Sequence, residues 1–270
     1  MAATTFPALA APRRPLQRTL AIYAKEAKYE LLKNLRIPVY AISTVSFPLM
    51  FYVLFGIVLG RNDPGSPERA TYALATMGCF GVMAVALFGF GVSLAMERGQ
   101  GWLQVKRASP MPVSAYFAGK LFSAVVFSTV IMLLLLSVGI AFGGVRLPVW
   151  TAVKLVGILV AGSIPFSAMG LAIGYFAKPN SAPAVVNLIY LPMSFCSGLW
   201  IPLFLLPHGL RVLATFLPPY HLAQLALNAV GLGVNPTPAR GHVEALLALT
   251  VMCLGLAAWG YRRDEGKTYG

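Results

Sequence analysis

Six apolar stretches run through the chain, near 37–59, 71–95, 116–142, 152–177, 183–202 and 242–261, and almost no ionisable residue falls inside them. A hydrocarbon core of about 30 Å takes roughly 20 helical residues to cross, so each stretch is long enough to span it. Strands of a transmembrane barrel would alternate apolar and polar residues, whereas Val130 to Ile140 is almost unbroken aliphatic. Helices also satisfy their own backbone hydrogen bonds in lipid. The pattern predicts an all-α membrane protein with six transmembrane helices, which occupy 37–261.

Between and beside these stretches the polar pattern predicts further elements. Over residues 16–36, Leu20, Tyr23, Ala24, Ala27, Leu31 and Leu35 fall on one helical face, with Glu26, Glu30, Lys25, Lys28, Lys33 and Arg36 around the remainder. Such a helix rests its apolar side in the acyl boundary and its cations among anionic head groups, and Pro38 marks the turn into the first span. Two connections are long: 97–115, and 203–241. The second is apolar, with runs Leu210 to Leu217 and Leu222 to Val230 broken by Pro207, Pro218 and Pro219. Each run is about half the length of a span, which predicts a re-entrant helical hairpin in the outer leaflet. Residues 1–15, rich in Ala, Pro and Arg and lacking a long apolar core, read as a disordered tail with no cleaved signal. Residues 262–270 read as a cytoplasmic tail.

Composition agrees: 58% of residues are hydrophobic and 11% charged, and mean hydropathy is +0.74. A soluble domain carries about 25% charge. The net charge of +13 follows topology rather than a nucleic-acid surface. Of 21 basic residues, the outer pieces hold only Arg61, Arg69, Arg146, Lys154, Arg211 and Arg240. The rest fall on the other side, which by the positive-inside rule places both termini in the cytoplasm.

Catalytic chemistry is hard to find. Gly266-Lys267-Thr268 with Gly260 has five intervening residues instead of the four of a phosphate-binding loop, and no strand precedes it. Cys79, Cys196 and Cys253 show no metal spacing, and neither do His208, His221 and His242. Proton- or sodium-coupled carriers place acids or broken helices inside the membrane; here Lys154 and Glu244 sit near outer ends. A transporter of this kind draws its energy from a partner. No catalytic, metal or cofactor residue is expected in the chain itself.

The long cytoplasmic connection reads Glu97-Arg98-Gly99-Gln100-Gly101-Trp102-Leu103-Gln104-Val105-Lys106-Arg107-Ala108-Ser109-Pro110. It resembles the loop after the second span in type-2 ABC exporter permeases, where Glu-Arg-x-x-Gly precedes a short helix and a Pro-containing turn. Ser197-Gly198-Leu199-Trp200-Ile201-Pro202, followed by Leu217-Pro218-Pro219-Tyr220, is similar to that family's end of span five and outer hairpin. With the amphipathic helix and six spans, the resemblance covers nearly the whole chain. The chain departs from the commoner loop in having Gly99 where a second acid often sits.

The resemblance implies an exporter subunit in a bacterial inner membrane, moving a hydrophobic or amphipathic substrate such as a lipid, drug or natural product. It implies two copies of a separate ATPase, which bind ATP and Mg, and a second permease copy or homologue. The ATPase-coupling residues it implies are Glu97, Arg98, Gln100, Trp102, Lys106, Arg107, Ser109 and Pro110. The outer gate it implies comprises Ser197, Gly198, Leu199, Trp200, Pro202 and Tyr220. There small Ser197 and Gly198 would let helices of two subunits approach. Alternatives are export of a lipid-linked polysaccharide and a non-transporting membrane anchor. Membrane lipids are expected partners and nucleic acid is not.

Overall fold

The computed structural model describes residues 16–59, 66–109, 111–233 and 238–265. The expected tail at 1–15, residues 266–270 of the expected tail 262–270, Pro110, and most of the first loop lie outside them, while 262–265 continue the last helix. Among the described residues the fold is all helical, without a strand. Helix α1 (Leu16–Leu35) is followed by α2 (Pro38–Tyr52), which continues as a π-helix over Val53–Val58. Helix α3 (Ser66–Ala86) runs through a second π-helix, Leu87–Val92, into α4 (Ser93–Gly99), and the short α5 (Trp102–Ala108) follows. Then come α6 (Val113–Phe142), the pair α7 (Val149–Ala161) and α8 (Ser163–Phe176), and α9 (Ala182–Cys196). Two short helices, α10 (His208–Ala214) and α11 (Pro218–Ala229), precede α12 (Ala239–Glu265).

Among the described residues five helical runs are long and apolar enough to cross a membrane: 38–58, 67–99, 113–142, 149–176 and 239–263. The expected span 183–202 is realised only as α9, whose 15 residues fall short of the roughly 20 needed to cross. Gly198 is the reason. Its φ of +78° is a left-handed conformation that glycine adopts without penalty. There Gly198 donates to the Phe195 carbonyl and Leu199 to the Ser194 carbonyl, both at 3.2 Å. That pair of bonds is a Schellman stop, which closes a helix by satisfying its last carbonyls. The helix therefore ends at Cys196, well before Pro202.

The core is built around the 67–99 run, 72% of whose most apolar window is buried, against 17–33% for 38–58, 113–142 and 239–263. Phe80, Met83, Leu87 and Leu94 are its buried wall. Glycines set its distance from α8. A Cβ on Gly170 would stand 2.9 Å from the Ala86 carbonyl oxygen, and one on Gly174 would stand 2.9 Å from that of Gly91. Close packing through small residues is what drives helix association in lipid. Gly174→Val should therefore force these helices apart, costing about 1–3 kcal/mol as overpacking does. The check is the thermal unfolding midpoint of the detergent-solubilised protein, with exposed Gly255→Val, which meets nothing within 4 Å, as the neutral control.

Candidate functional site

At the end of the bundle that carries α1 and α5, four charged side chains from three elements meet, with Glu30 and Lys120 buried, Glu97 largely so and Lys33 partly exposed at the edge. Glu30 and Lys33 come from α1, Glu97 from α4, and Lys120 from α6. Lys120 Nζ donates to Glu30 Oε1 at 2.9 Å, to Glu97 Oε1 at 3.0 Å and to Ser93 Oγ at 2.7 Å, so all three of its protons are used. Lys33 Nζ bonds Glu30 Oε1 at 2.7 Å and Glu97 Oε1 at 2.6 Å. Tyr116 donates its hydroxyl to Glu97 Oε2 at 2.6 Å. Two acids and two bases sum to zero charge. This neutrality lets Glu30 and Lys120, 4% and 3% exposed, sit where an isolated charge would be costly.

Burial alone would raise the Glu30 carboxyl, but Lys120 and Lys33 outweigh it and hold it below its ordinary 4.5. Burial likewise opposes the Lys33 ammonium, and Glu97 and Glu30 together hold it above its ordinary 10.5. A depressed acid contributes stability above its unfolded value and loses it as pH falls through the folded one. A raised lysine contributes below its unfolded value and loses it as pH rises through the folded one. Thermal stability in detergent is therefore expected to hold across neutral pH and to fall on the acid side once pH drops below 4.5. Glu30→Gln should flatten that acid limb.

The face that α1 turns inward is thus polar. Tyr23 bonds Ser114 at 2.6 Å, and Asn34 donates to Ser123 at 3.0 Å. Leu16, Leu20 and Leu35 remain exposed. Glu30, which the periodicity left on the outward polar face, is buried, and Lys33, expected among head groups, points to the cluster instead. Lys25, Lys28 and Arg36 are exposed. The two helices approach closely because Gly119 has no side chain; a Cβ there would lie 3.0 Å from Glu26 Cγ and 3.2 Å from the Glu26 backbone.

Glu97 and Arg98 do not pair with each other. Glu97 faces α1 and α6, while Arg98 reaches the other way, donating to the Gly174 carbonyl at 2.6 Å and standing 5.7 Å from the Tyr175 ring centre. The glycine of Glu-Arg-x-x-Gly has a plain task. Gly101, at φ +75°, makes the left-handed turn between α4 and α5, and Gln100 occupies the same turn, its N–H on the Met96 carbonyl. Gly99 packs against the Pro179 ring in the connection before α9, too tightly for any side chain, which accounts for the missing second acid.

Helix α5 is anchored on one side and bare on the other. Leu103 is buried, while Trp102 and Val105 are 55% and 60% exposed. Lys106 pairs with Glu26 of α1 at 2.5 Å and lies 4.4 Å from the Tyr116 ring centre. Ser109 caps the helix end by donating to the Lys106 carbonyl at 2.7 Å. The Arg107 side chain, like Pro110, lies outside the described residues.

The opposite end holds a cavity of about 780 Å³ whose walls include Phe55, Tyr72, Thr76, Trp200, Leu203 and Gln224. Trp200 packs on Phe51 at 4.9 Å and on Phe80 at 5.6 Å between ring centres. Leu199 is 1% exposed and faces its own protomer's interior. Ser197 is buried as well, and Tyr72 donates to the Gly198 carbonyl at 3.2 Å. Ser197 and Gly198 thus form a buried turn within the chain, and Pro202 follows the helix instead of ending it. Tyr220 is buried beside the rings of His221 and His242, whose Nδ1 atoms are 2.9 Å apart. The histidine spacing gave no sign of this contact, since folding α11 against α12 brings the pair together.

The sequence that folds into this bundle is similar to those of known proteins. The family model described as ABC-2 type transporter matches residues 26–230 of this chain. The chain belongs to the ABC-2 type transporter family. It is also 23% identical over 244 residues to the Bacillus subtilis (strain 168) protein named "Putative transport permease YvfS", covering 90% of this chain and 98% of that one. As a member of this family the protein is a multi-pass membrane protein and a transport permease subunit. The matched region takes in α1 from Glu26, the whole ion-pair cluster, α5 and the helices through α11.

Proposed function

We propose that the protein is the membrane half of an ATP-driven exporter of hydrophobic or amphipathic molecules, working with a separate ATPase subunit in a bacterial inner membrane. The observation that carries this reading is the link from exposed α5 through Lys106 and Glu26 to α1, and from α1 through the buried cluster to the ends of α4 and α6. An ATPase that grips Trp102 and Val105 moves α5, and the ion pairs hand that motion to helices that cross the membrane. ATP and Mg belong to the ATPase.

In this reading six segments cross, with α9 and the turn after it forming the fifth. Helix α1 lies at the cytoplasmic surface, both termini are cytoplasmic, and α10 and α11 form a re-entrant outer hairpin. The excess of basic residues on the α1 side supports that orientation. Two permeases, identical or homologous, stand on two ATPases. The segment Ser197 to Pro202, with Tyr220 behind it, closes the exit, because Trp200 caps the aromatic wall of the outer cavity. The lining, which sets Phe55, Trp200 and Leu203 beside the charged Glu68 and Arg69, supports an amphipathic cargo.

The reading is tested by purifying the tagged protein from native membranes and assaying inverted vesicles made from the same cells. An ABC ATPase should accompany it, and ATP should drive a lipophilic dye into the vesicles. Recovery of an ATPase without dye movement would favour an anchor. Dye movement out of the inverted vesicles would reverse the assigned direction. In the same assay Trp200→Ala, which unlatches the aromatic wall, should alter dye transport while leaving ATPase recovery unchanged.

A further inference from the structure

A second cavity, of about 530 Å³, lies between α6, α8 and α12 at the α1 end of the bundle, apart from both the ion-pair cluster and the outer cavity. Phe117, Leu121, Leu171 and Leu254 line it with apolar surface, and Arg262 stands at its end. Its deep end reaches Ser167 and Thr250; Thr250 returns its hydroxyl proton to the Leu246 carbonyl at 2.7 Å, so it asks for no ligand. The rim is open, since Val113, Ile164 and Leu254 are exposed.

Length and charge together select the occupant. Thr250 and Arg262 are separated along α12 by a rise of about 18 Å at 1.5 Å per residue. One leaflet of hydrocarbon is about 15 Å deep, half of the roughly 30 Å core. The groove therefore runs the depth of one leaflet and ends at a cation at the level of the head groups. Arg262 makes no ion pair among the described residues. The next arginine, Arg263, is turned onto Trp259, 6.0 Å from its ring centre. An apolar slot one leaflet deep that finishes on an open guanidinium matches an acyl chain joined to a phosphate.

We propose that this groove is a binding site for one anionic phospholipid of the leaflet on the α1 side, its acyl chain between α6, α8 and α12 and its phosphate on Arg262. Bound there, the lipid fills the gap beside α8, the helix that receives Arg98 and packs on the glycine-rich part of the core. The site is independent of the exporter reading, because it concerns lipid that stays with the protein and not lipid that is moved.

The test is native mass spectrometry of the full-length protein released from detergent micelles that contain equal amounts of phosphatidylglycerol and phosphatidylcholine. The wild type should retain one lipid per protomer, with phosphatidylglycerol favoured about fivefold, the preference one arginine gives near an anionic group. Arg262→Gln should retain the lipid and lose the preference. Arg263→Gln should keep both, since its guanidinium is not at the groove. Ala258→Trp, at an exposed lining position, should expel either lipid. Retention of no lipid by the wild type would overturn the site, as would an equal loss of preference in both arginine variants, the mark of diffuse surface charge. A shift of Ala258→Trp in oligomeric state without loss of lipid would assign the groove to a second copy of the chain and equally overturn it.

Discussion

Lys120→Met is expected to destabilise the protein by about 3–5 kcal/mol, because it leaves two buried carboxylates facing one remaining ammonium. Glu30 and Glu97 both accept from Lys120 on the same oxygens that Lys33 uses, so Lys33 alone cannot neutralise them. The double variant Lys120→Met/Glu30→Gln restores the charge balance and should recover a large part of the loss. Breaking one partner of a buried pair costs far more than replacing both. Unfolding midpoints of the single and double variants in detergent check this. A single variant as stable as the wild type would mean that the cluster is solvated and not a buried joint. Transport should suffer with stability, since these groups help to hold α1 to the span ends.

The second large effect is expected at the exposed side of α5. Trp102→Ala should weaken association with the ATPase subunit by about 2 kcal/mol or more, roughly thirtyfold in affinity, as truncation of a central interface tryptophan does. Trp102 is 55% exposed, so the permease itself should keep its fold, its insertion and its unfolding midpoint. Co-purified ATPase, titrated against wild type and variant, reads the change directly. Leu103 lies on the buried side of the same helix, and Leu103→Ala should lower stability instead. The two adjacent residues thus separate contact with the partner from packing within the chain.

The helices were legible because long aliphatic runs leave one solution in lipid. The short helix after Glu-Arg-x-x-Gly was legible too, through the resemblance that the motif carries. The ion-pair cluster was harder, since its members lie far apart in sequence and each sits near an element's end, where charge is unremarked. Two signs were nevertheless present. Lys120 falls inside the expected span 116–142, and an ionisable residue at such a position needs a partner. On α1, Tyr23, Glu26, Glu30 and Asn34 recur at three- and four-residue spacing on one face, which is how a polar seam between helices is written. Weighting the apolar face of α1 for lipid hid it.

The end of α9 shows the opposite error. Gly198 reads equally as a small residue for close packing and as a helix stop, and Pro202 drew the boundary six residues past the helix end at Cys196. The backbone settles the matter, because a left-handed glycine with two carbonyls to satisfy is a stop. The contact between His221 and His242 had no local signature at all, since it depends on how α11 folds back on α12.

The claim that α5 drives the spans through α1 is tested most directly by reversing one ion pair. With the ATPase bound and the complex in vesicles, ATP hydrolysis and dye transport are measured side by side for Lys106→Glu and for Lys106→Glu/Glu26→Lys. The account predicts that the single variant hydrolyses ATP but transports little, because α5 moves without α1. The exchanged pair, which restores the attraction with the charges swapped, should recover transport. Full transport in the single variant, or none in the exchanged one while its stability and ATP hydrolysis remain normal, would contradict it.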